Sequence, residues 1–262
     1  MTELRFDEDA TKRLLALYGT PDMVSQRGAF LRALSPKSGE RVLDVGSGPG
    51  FLAGAIAAAV ESRGAVDGID ISEPLLAVAR THCAHQPWVE FHRADATQLP
   101  FPEHSFDAVI STQVLEYVHD VDLALAEFHR VLRTGGRTVI VDTDWDSIVW
   151  YSPNRDRMSR VLSAWEQHAA DSYLPRTMAK RLRHAGFKVD TTTIIPILNT
   201  AYDPNTFSNQ LVDSIVPFVS GRNGLTRDDA EAWAGEIRLA GTRGEYFFSL
   251  NRYLFLARKT IA

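Results

Sequence analysis

The sequence predicts an α/β fold in which a parallel sheet is wound with helices on both faces. Three observations carry that reading. Five short apolar runs within the first 142 residues alternate with helical segments at the spacing of β-α-β units. The first run passes through Gly46-Ser47-Gly48-Pro49-Gly50 directly into an alanine-rich helix. Acidic residues, Asp70 and Asp95, close the next two runs, at the sheet edge where such folds hold ligands.

Residues 10–34 read as one or two helices broken near Gly19-Thr20-Pro21, with Leu14, Leu15, Leu17 and Tyr18 on one apolar face. Ser35-Pro36-Lys37-Ser38-Gly39 is a turn. Apolar residues around Asp44 mark 41–45 as a buried parallel strand. Glycines then let the backbone approach a ligand closely before helix 51–60. Strand 65–71 leads to helix 74–82, which has Pro74 in its first turn. Strands 88–93 and 106–112 follow. Helix 122–132 stops at Thr134-Gly135-Gly136, and strand 137–142 comes next. After Asp142 the rhythm changes. Residues 145–183 read as helical and rich in aromatics: Trp145, Trp150, Tyr151, Trp165 and Tyr173. Residues 188–198 are β-branched and strand-like. Residues 202–238 are helical with breaks at Pro204, Pro217 and 221–224, and 245–258 form a last strand.

At 262 residues and 45% hydrophobic, the chain suits one domain with elaborations. A net charge of −5 argues against a nucleic-acid partner. Cys83 stands alone, which excludes an internal disulfide and a thiolate zinc site, and its expected role is packing. No cluster of histidines and carboxylates at ligand spacing stands out, so no metal is expected. No apolar run approaches the ~20 residues that span a bilayer, so no membrane partner is expected. The acidic start of the chain lacks a signal-peptide core, and the cytoplasm is the expected location.

Asp70 lies 24 positions after Gly46, the place from which a carboxylate accepts ribose hydroxyls. Ser72 is placed to cap the next helix, which leaves Asp70 to a ligand. Asp95 suits an adenine amino group, with a backbone N–H nearby for a ring nitrogen. The glycines do not fit the nicotinamide fingerprint, because Phe51 stands where it needs glycine or alanine.

These segments resemble the class I S-adenosylmethionine-dependent methyltransferases (methyltransferase type 11), in the broad group that includes ubiquinone and menaquinone biosynthesis enzymes. The matching residues are Val42-Leu43-Asp44-Val45-Gly46-Ser47-Gly48-Pro49-Gly50, Gly68-Ile69-Asp70-Ile71-Ser72, Asp95-Ala96 with Leu99-Pro100-Phe101, and Phe106-Asp107-Ala108-Val109. Val114-Leu115-Glu116-Tyr117-Val118-His119-Asp120 and Arg130-Val131-Leu132-Arg133-Thr134-Gly135-Gly136-Arg137 also match. Tyr117 departs from a common histidine and Thr134 from a common proline.

The resemblance implies a Rossmann-like, doubly wound, seven-stranded and mostly parallel sheet with an antiparallel last strand. Helical insertions would form an acceptor lid. It implies a single methyltransferase domain over 1–262, with 1–40 as helical lid, 41–142 as cofactor core, and 143–262 as acceptor-pocket helices and the last two strands. Asp44, Gly46, Ser47, Gly48 and Gly50 would meet the methionine part of the cofactor, Asp70 with Ile71 the ribose, and Asp95 with Ala96 the adenine. Gln113 would lie near the sulfonium. Tyr18 and Arg27 belong to the lid, and Arg27 suits the cofactor's carboxylate.

The implied reaction is methyl transfer from S-adenosylmethionine to a hydrophobic or aromatic small molecule, at carbon or oxygen. Methyl transfer from a sulfonium is an in-line displacement that disperses charge, so alignment and exclusion of water do most of the work. A base matters only if the acceptor loses a proton. His119, Asp144, Asp146 and His168 are the candidates, with His119 and Asp146 favoured and Trp145 as a pocket wall. The expected partners are the acceptor and a second copy of the chain. A protein of this fold that binds the cofactor without methyl transfer, for example a cyclase, is the alternative; nucleic-acid methylation and nicotinamide chemistry fit less well.

Overall fold

The computed structural model describes residues 8–260. Two helices, α1 (Glu8–Gly19) and α2 (Pro21–Leu34), precede strand β1 (Arg41–Val45). Helix α3 (Phe51–Val60), β2 (Ala65–Asp70), α4 (Glu73–His82), β3 (Val89–Arg93) and β4 (Phe106–Thr112) follow. Then come α5 (Val121–Val131), β5 (Leu132–Trp150), α6 (Arg155–Trp165), α7 (Pro175–His184), β6 (Phe187–Asn199), α8 (Phe207–Val219), α9 (Arg227–Thr242) and β7 (Phe248–Lys259).

The seven strands are ordered β3-β2-β1-β4-β5-β7-β6. The pairs from β3 through β5 are parallel, and β7 is antiparallel to both its neighbours. From β1 the chain winds out to β3, then crosses back to β4 on the other side of β1. That reversal opens a crevice at the carboxyl ends of β1 and β4, the usual ligand position in open α/β sheets.

Alternate residues along each strand feed opposite layers, as the pleat requires. Val42, Val66, Ile110 and Val139 pack with Phe30, Ile56 and Leu76 of α2, α3 and α4. Leu43, Ile69, Val109 and Ile140 pack on the other face with Phe128 of α5 and Met178 of α7. A third cluster, around Trp150, Trp233, Phe207 and Phe248, unites α6, α8 and α9. Arg137 ties the end of α2 to the sheet: its Nε donates to the Leu34 carbonyl at 2.5 Å and its Nη1 meets Glu40 at 2.9 Å.

One stretch differs from expectation. The segment after Asp142 is strand, not helix, as far as Trp150, where Val149 and Trp150 pair with Ser249 and Phe248 of β7. Ile148, Val149 and the tryptophans suit a pleated surface as well as a helix, and the pairing offered by β7 decides. The expected boundary at 142 therefore falls inside one continuous strand. Pro217 lies in the last turn of α8 without ending it.

Candidate active site

The glycine turn is held from below by β2. The N–H groups of Gly46 and Ser47 both donate to the Ile69 carbonyl, at 2.8 and 2.9 Å. Gly46 has φ of +72°, and a Cβ there would run into Val114 beyond β4, so only glycine fits. Gly48 also has positive φ, but a Cβ at that position meets nothing within 4 Å, so the turn presents open backbone on that side.

Two carboxyl groups lie beside this turn. Asp44 is 1% exposed, and its Oδ2 has no partner. Burial, reinforced by the Asp70 charge, pushes it up to about 7, against the Ala53 N–H that favours ionisation. Asp70 is raised by burial too, while the N–H groups of Ser72 and Gly48 oppose that rise. Asp70 was expected to be left free by a Ser72 cap. Instead Ser72 makes no side-chain cap, and its N–H donates to Asp70 Oδ1 at 2.8 Å while Gly48 N–H donates to Oδ2 at 2.9 Å. A carboxylate has about four lone-pair sites, so the remaining sites still suit a ligand's hydroxyls.

Ile71 is exposed, and its carbonyl accepts from Arg93 Nε at 3.1 Å. Asp95 is exposed and folds into its own turn, accepting from the Thr97 N–H and hydroxyl at 2.8 and 2.7 Å; Ala96 is buried. Gln113, just past β4, has φ of +59°, a conformation uncommon outside glycine. Its amide is engaged on both ends: Nε2 donates to the Val141 carbonyl at 3.2 Å, and Oε1 accepts from Thr143 Oγ1 at 2.5 Å.

The N-terminal helices reach this edge. The Tyr18 ring lies 6.3 Å from that of Phe51, the first residue of α3. Burial raises the Tyr18 hydroxyl's pKa; Arg252, Asp70, Asp44 and Arg27 all act on it electrostatically. Arg27 donates to the Tyr18 carbonyl at 2.8 Å and sits 5.1 Å above the Phe51 ring.

Behind the crevice lies a buried polar group that sequence reasoning missed: Glu116, Asp142 and Arg252. Asp142 Oδ1 accepts from the N–H groups of Val114 and Glu116 at 3.2 and 3.3 Å. Glu116 Oε2 accepts from Thr143 N–H at 3.0 Å. Burial pushes both carboxyls well above the usual range, and each acid lies in the field of Arg252. Arg252 is buried, donates through Nη1 to Gln26 and to Met23 Sδ, and stands 5.0 Å over the Phe207 ring. Strand parity could have found it, because Arg252 shares the inward side of β7 with Phe248, Leu250 and Leu254.

The favoured catalytic residues part company. Trp145 is buried on β5, its backbone N–H donating to the Ser172 carbonyl at 3.0 Å. Asp146 and Asp144 both pair with Arg176, at 2.7 and 2.8 Å. The Asp146 oxygen that meets Arg176 is therefore already occupied by a donor. His119 is exposed just before α5. His168, a candidate base that sequence reasoning did not favour, is buried against Trp165 and Trp145. Strands β2 and β3 also bring Asp67, Glu90 and His92 within metal-ligand reach of one another, a grouping not visible in the spacing. Asp67 already carries Arg41 and His92, each at 3.0 Å, so a cation is supplied by the chain itself.

Comparison with known proteins agrees with this architecture. The family profile described as a methyltransferase domain matches residues 43–140. An uncharacterised 37.1 kDa protein of transposon Tn4556 in Streptomyces fradiae is 33% identical over 250 residues, covering 90% of this chain and 67% of that one. The demethylmenaquinone methyltransferase of Clavibacter sepedonicus is 44% identical over 116 residues, covering 44% of this chain and 46% of the relative. The match thus spans about half the length of that named methyltransferase. Among solved structures, Haemonchus contortus phosphoethanolamine N-methyltransferase 2, crystallised with S-adenosylmethionine, superposes with a TM-score of 0.64 at 20% identity. That superposition covers 99% of this chain and 59% of the other, and bears on the fold alone. The chain belongs to the class I S-adenosylmethionine-dependent methyltransferases. Its cofactor is S-adenosylmethionine.

Proposed function

We propose that this protein methylates a small aromatic acceptor, of the quinol or phenol kind, at carbon or oxygen. The observation that carries the reading is the carboxyl pair beside the glycine turn. Asp44 holds an unpartnered buried oxygen, Asp70 raises it further, and the Ser47 hydroxyl is also buried without a partner. Buried carboxyls in that condition call for a cation with hydrogens to donate. The ammonium group of the cofactor's methionine tail has both properties.

When bound, S-adenosylmethionine supplies an electrophilic methyl group on a positively charged sulfur. The protein's residues then divide the task. Asp44, Gly46, Ser47, Gly48 and Gly50 hold the methionine end, and Asp70 with Ile71 takes the ribose. Asp95 and Ala96 take the adenine, and Gln113 stands at the end of β4 towards the sulfonium. Tyr18 and Arg27 cover the crevice and keep water from it. Segment 143–262 supplies the acceptor's apolar surroundings, Trp145 among them. The demethylmenaquinone methyltransferase relative supports a quinol-like acceptor, and the concentration of aromatics beyond Asp142 supports a flat one.

Calorimetric titration with S-adenosylmethionine and S-adenosylhomocysteine tests the cofactor assignment, with micromolar binding of both as the expected result. Transfer of a tritiated methyl group to a panel of hydroxylated naphthalenes and benzenes tests the reaction. Binding without transfer to any of them would favour the cofactor-binding alternative. No described helix is long and apolar enough to cross a membrane.

A further inference from the structure

The turn after α6 carries a histidine to which the reading above gives no role. His168 is 7% exposed. Its Nδ1 lies 2.5 Å from the Trp165 carbonyl. A carbonyl can only accept, so Nδ1 carries the hydrogen and Nε2 keeps a bare lone pair. That Nε2 is buried and has no partner, and neither do the Nε1 donors of Trp145 and Trp165. The three rings are in contact. Trp165 stacks on the imidazole at 4.0 Å and Trp145 meets it edge-on at 4.5 Å, with Tyr117 and Phe218 at 5.8 and 6.2 Å. Burial lowers the imidazole's pKa to about 4, so the ring is neutral near pH 7.

This cluster adjoins the crevice. The N–H groups of Ala170 and Asp171 donate to the Glu116 carbonyl at 2.8 and 3.0 Å, which docks the His168 turn on the segment just after β4. Tyr117 in that segment interacts with Tyr18, and Tyr18 with Asp44 and Asp70. A separate groove of about 420 Å³ is lined by Glu166, Gln167, Ala169, Ala170 and Asp171 of the same turn.

One buried acceptor and two buried donors, all unpaired within an aromatic wall, match a flat ligand that bears a hydroxyl and an oxygen acceptor. We propose that His168 Nε2 accepts the hydrogen of an aromatic acceptor's hydroxyl, in a site walled by Trp145, Trp165, Tyr117 and Phe218, and takes the proton as that oxygen is methylated. The inference rests on the methyltransferase reading. The acceptor's oxygen forms the new O–C bond with its own electron pair, the departing sulfur keeps the pair of the broken S–C bond, and the hydroxyl proton passes to Nε2. The positive charge carried in on sulfur thus ends on the imidazolium, which a depressed pKa lets return its proton to water.

The test uses 2-naphthol and 2-methoxynaphthalene, titrated calorimetrically into the protein loaded with S-adenosylhomocysteine. A site built to bond a hydroxyl rejects the analogue that lacks one. The wild-type protein is expected to bind 2-naphthol at least tenfold more tightly. His168→Phe, which keeps a flat ring and removes the lone pair, is expected to bring the two affinities within twofold. His168→Gln, which retains an acceptor, is expected to keep part of the preference. Equal affinities in the wild type, an undiminished preference in His168→Phe, or no binding of either naphthalene overturns the proposal; the wild-type arm does so even if the variants fail to fold. Normal S-adenosylhomocysteine binding alongside such a result overturns this inference alone. Absent S-adenosylhomocysteine binding overturns the methyltransferase reading beneath it.

Discussion

The crevice between β1 and β4 and the aromatic cluster beyond Asp142 are built on opposite plans. The crevice is made by one contiguous third of the chain. Its polar groups sit at strand ends, and its shape comes from backbone: Gly46 cleared for Val114, Gly48 open to one side, Gln113 in a left-handed conformation. The cluster draws Trp145, Trp165, His168 and Phe218 from three separate segments beyond Asp142, meets Tyr117 from the segment after β4, and takes its shape from side-chain packing. The first plan suits a ligand that is always the same. The second can be refitted without disturbing the first.

If the two regions are independent, damage to one should leave the other's ligand alone. Trp165→Ala removes a buried ring and should destabilise the protein by about 3–5 kcal/mol in urea unfolding. S-adenosylhomocysteine affinity should stay within twofold at temperatures where the variant is folded. A tenfold loss of that affinity would break the comparison.

Asp44 sharpens it from the other side. Its folded pKa of about 7 lies above the ordinary value of 3.8. Between those values the folded form holds a proton that the unfolded form has lost. Stability therefore falls as pH rises through that window, and the loss is complete above about 7. At 1.36 kcal/mol per unit, the effect is at most about 4 kcal/mol. Asp44→Asn should accordingly gain stability relative to wild type from pH 4 to pH 8 in urea melts, while binding S-adenosylmethionine less well. A pH-independent difference between the two proteins would mean that Asp44 stays ionised.

A smaller effect is expected from Asp70→Ala: a loss of about 1–3 kcal/mol in cofactor binding by calorimetry, the cost of removing a hydrogen-bonded charged acceptor. Unchanged affinity would remove Asp70 from the ribose. The smallest belongs to Asp146→Asn. Its pair with Arg176 is exposed, and such pairs are worth about 0–1 kcal/mol. Stability and methyl transfer should both be nearly unchanged; a large drop in transfer alone would assign the base to Asp146.

The same contrast explains what the sequence made legible. Glycines, strand-end acids and β-α spacing are local signals, so the order of elements from β1 through β4 and the placing of Asp44, Asp70 and Asp95 at one edge could be read directly, whereas the antiparallel last strand followed only from the family resemblance. The extension of β5 could not, because its partner residues on β7 lie about a hundred positions away. The burial of His168 was hidden for a related reason: nothing near it in the sequence shows that Trp145 and Phe218 will pack against it. Asp70 and Ser72 taught a finer lesson. Both belong to one turn, and which group satisfied which N–H was decided by the glycine turn opposite.

The length of β5 has one further consequence. Asp142, behind the crevice, and Trp145, in the aromatic cluster, sit on the same strand, roughly 10 Å apart at about 3.3 Å per residue. Pairing with β7 stiffens that span on either side of the irregularity after Asp144. On the proposed reading, the strand works as a fixed ruler between the cofactor and the acceptor. Substitutions on α6 and α8 can alter what is held at its far end, while the distance over which the methyl group must travel stays set by the sheet.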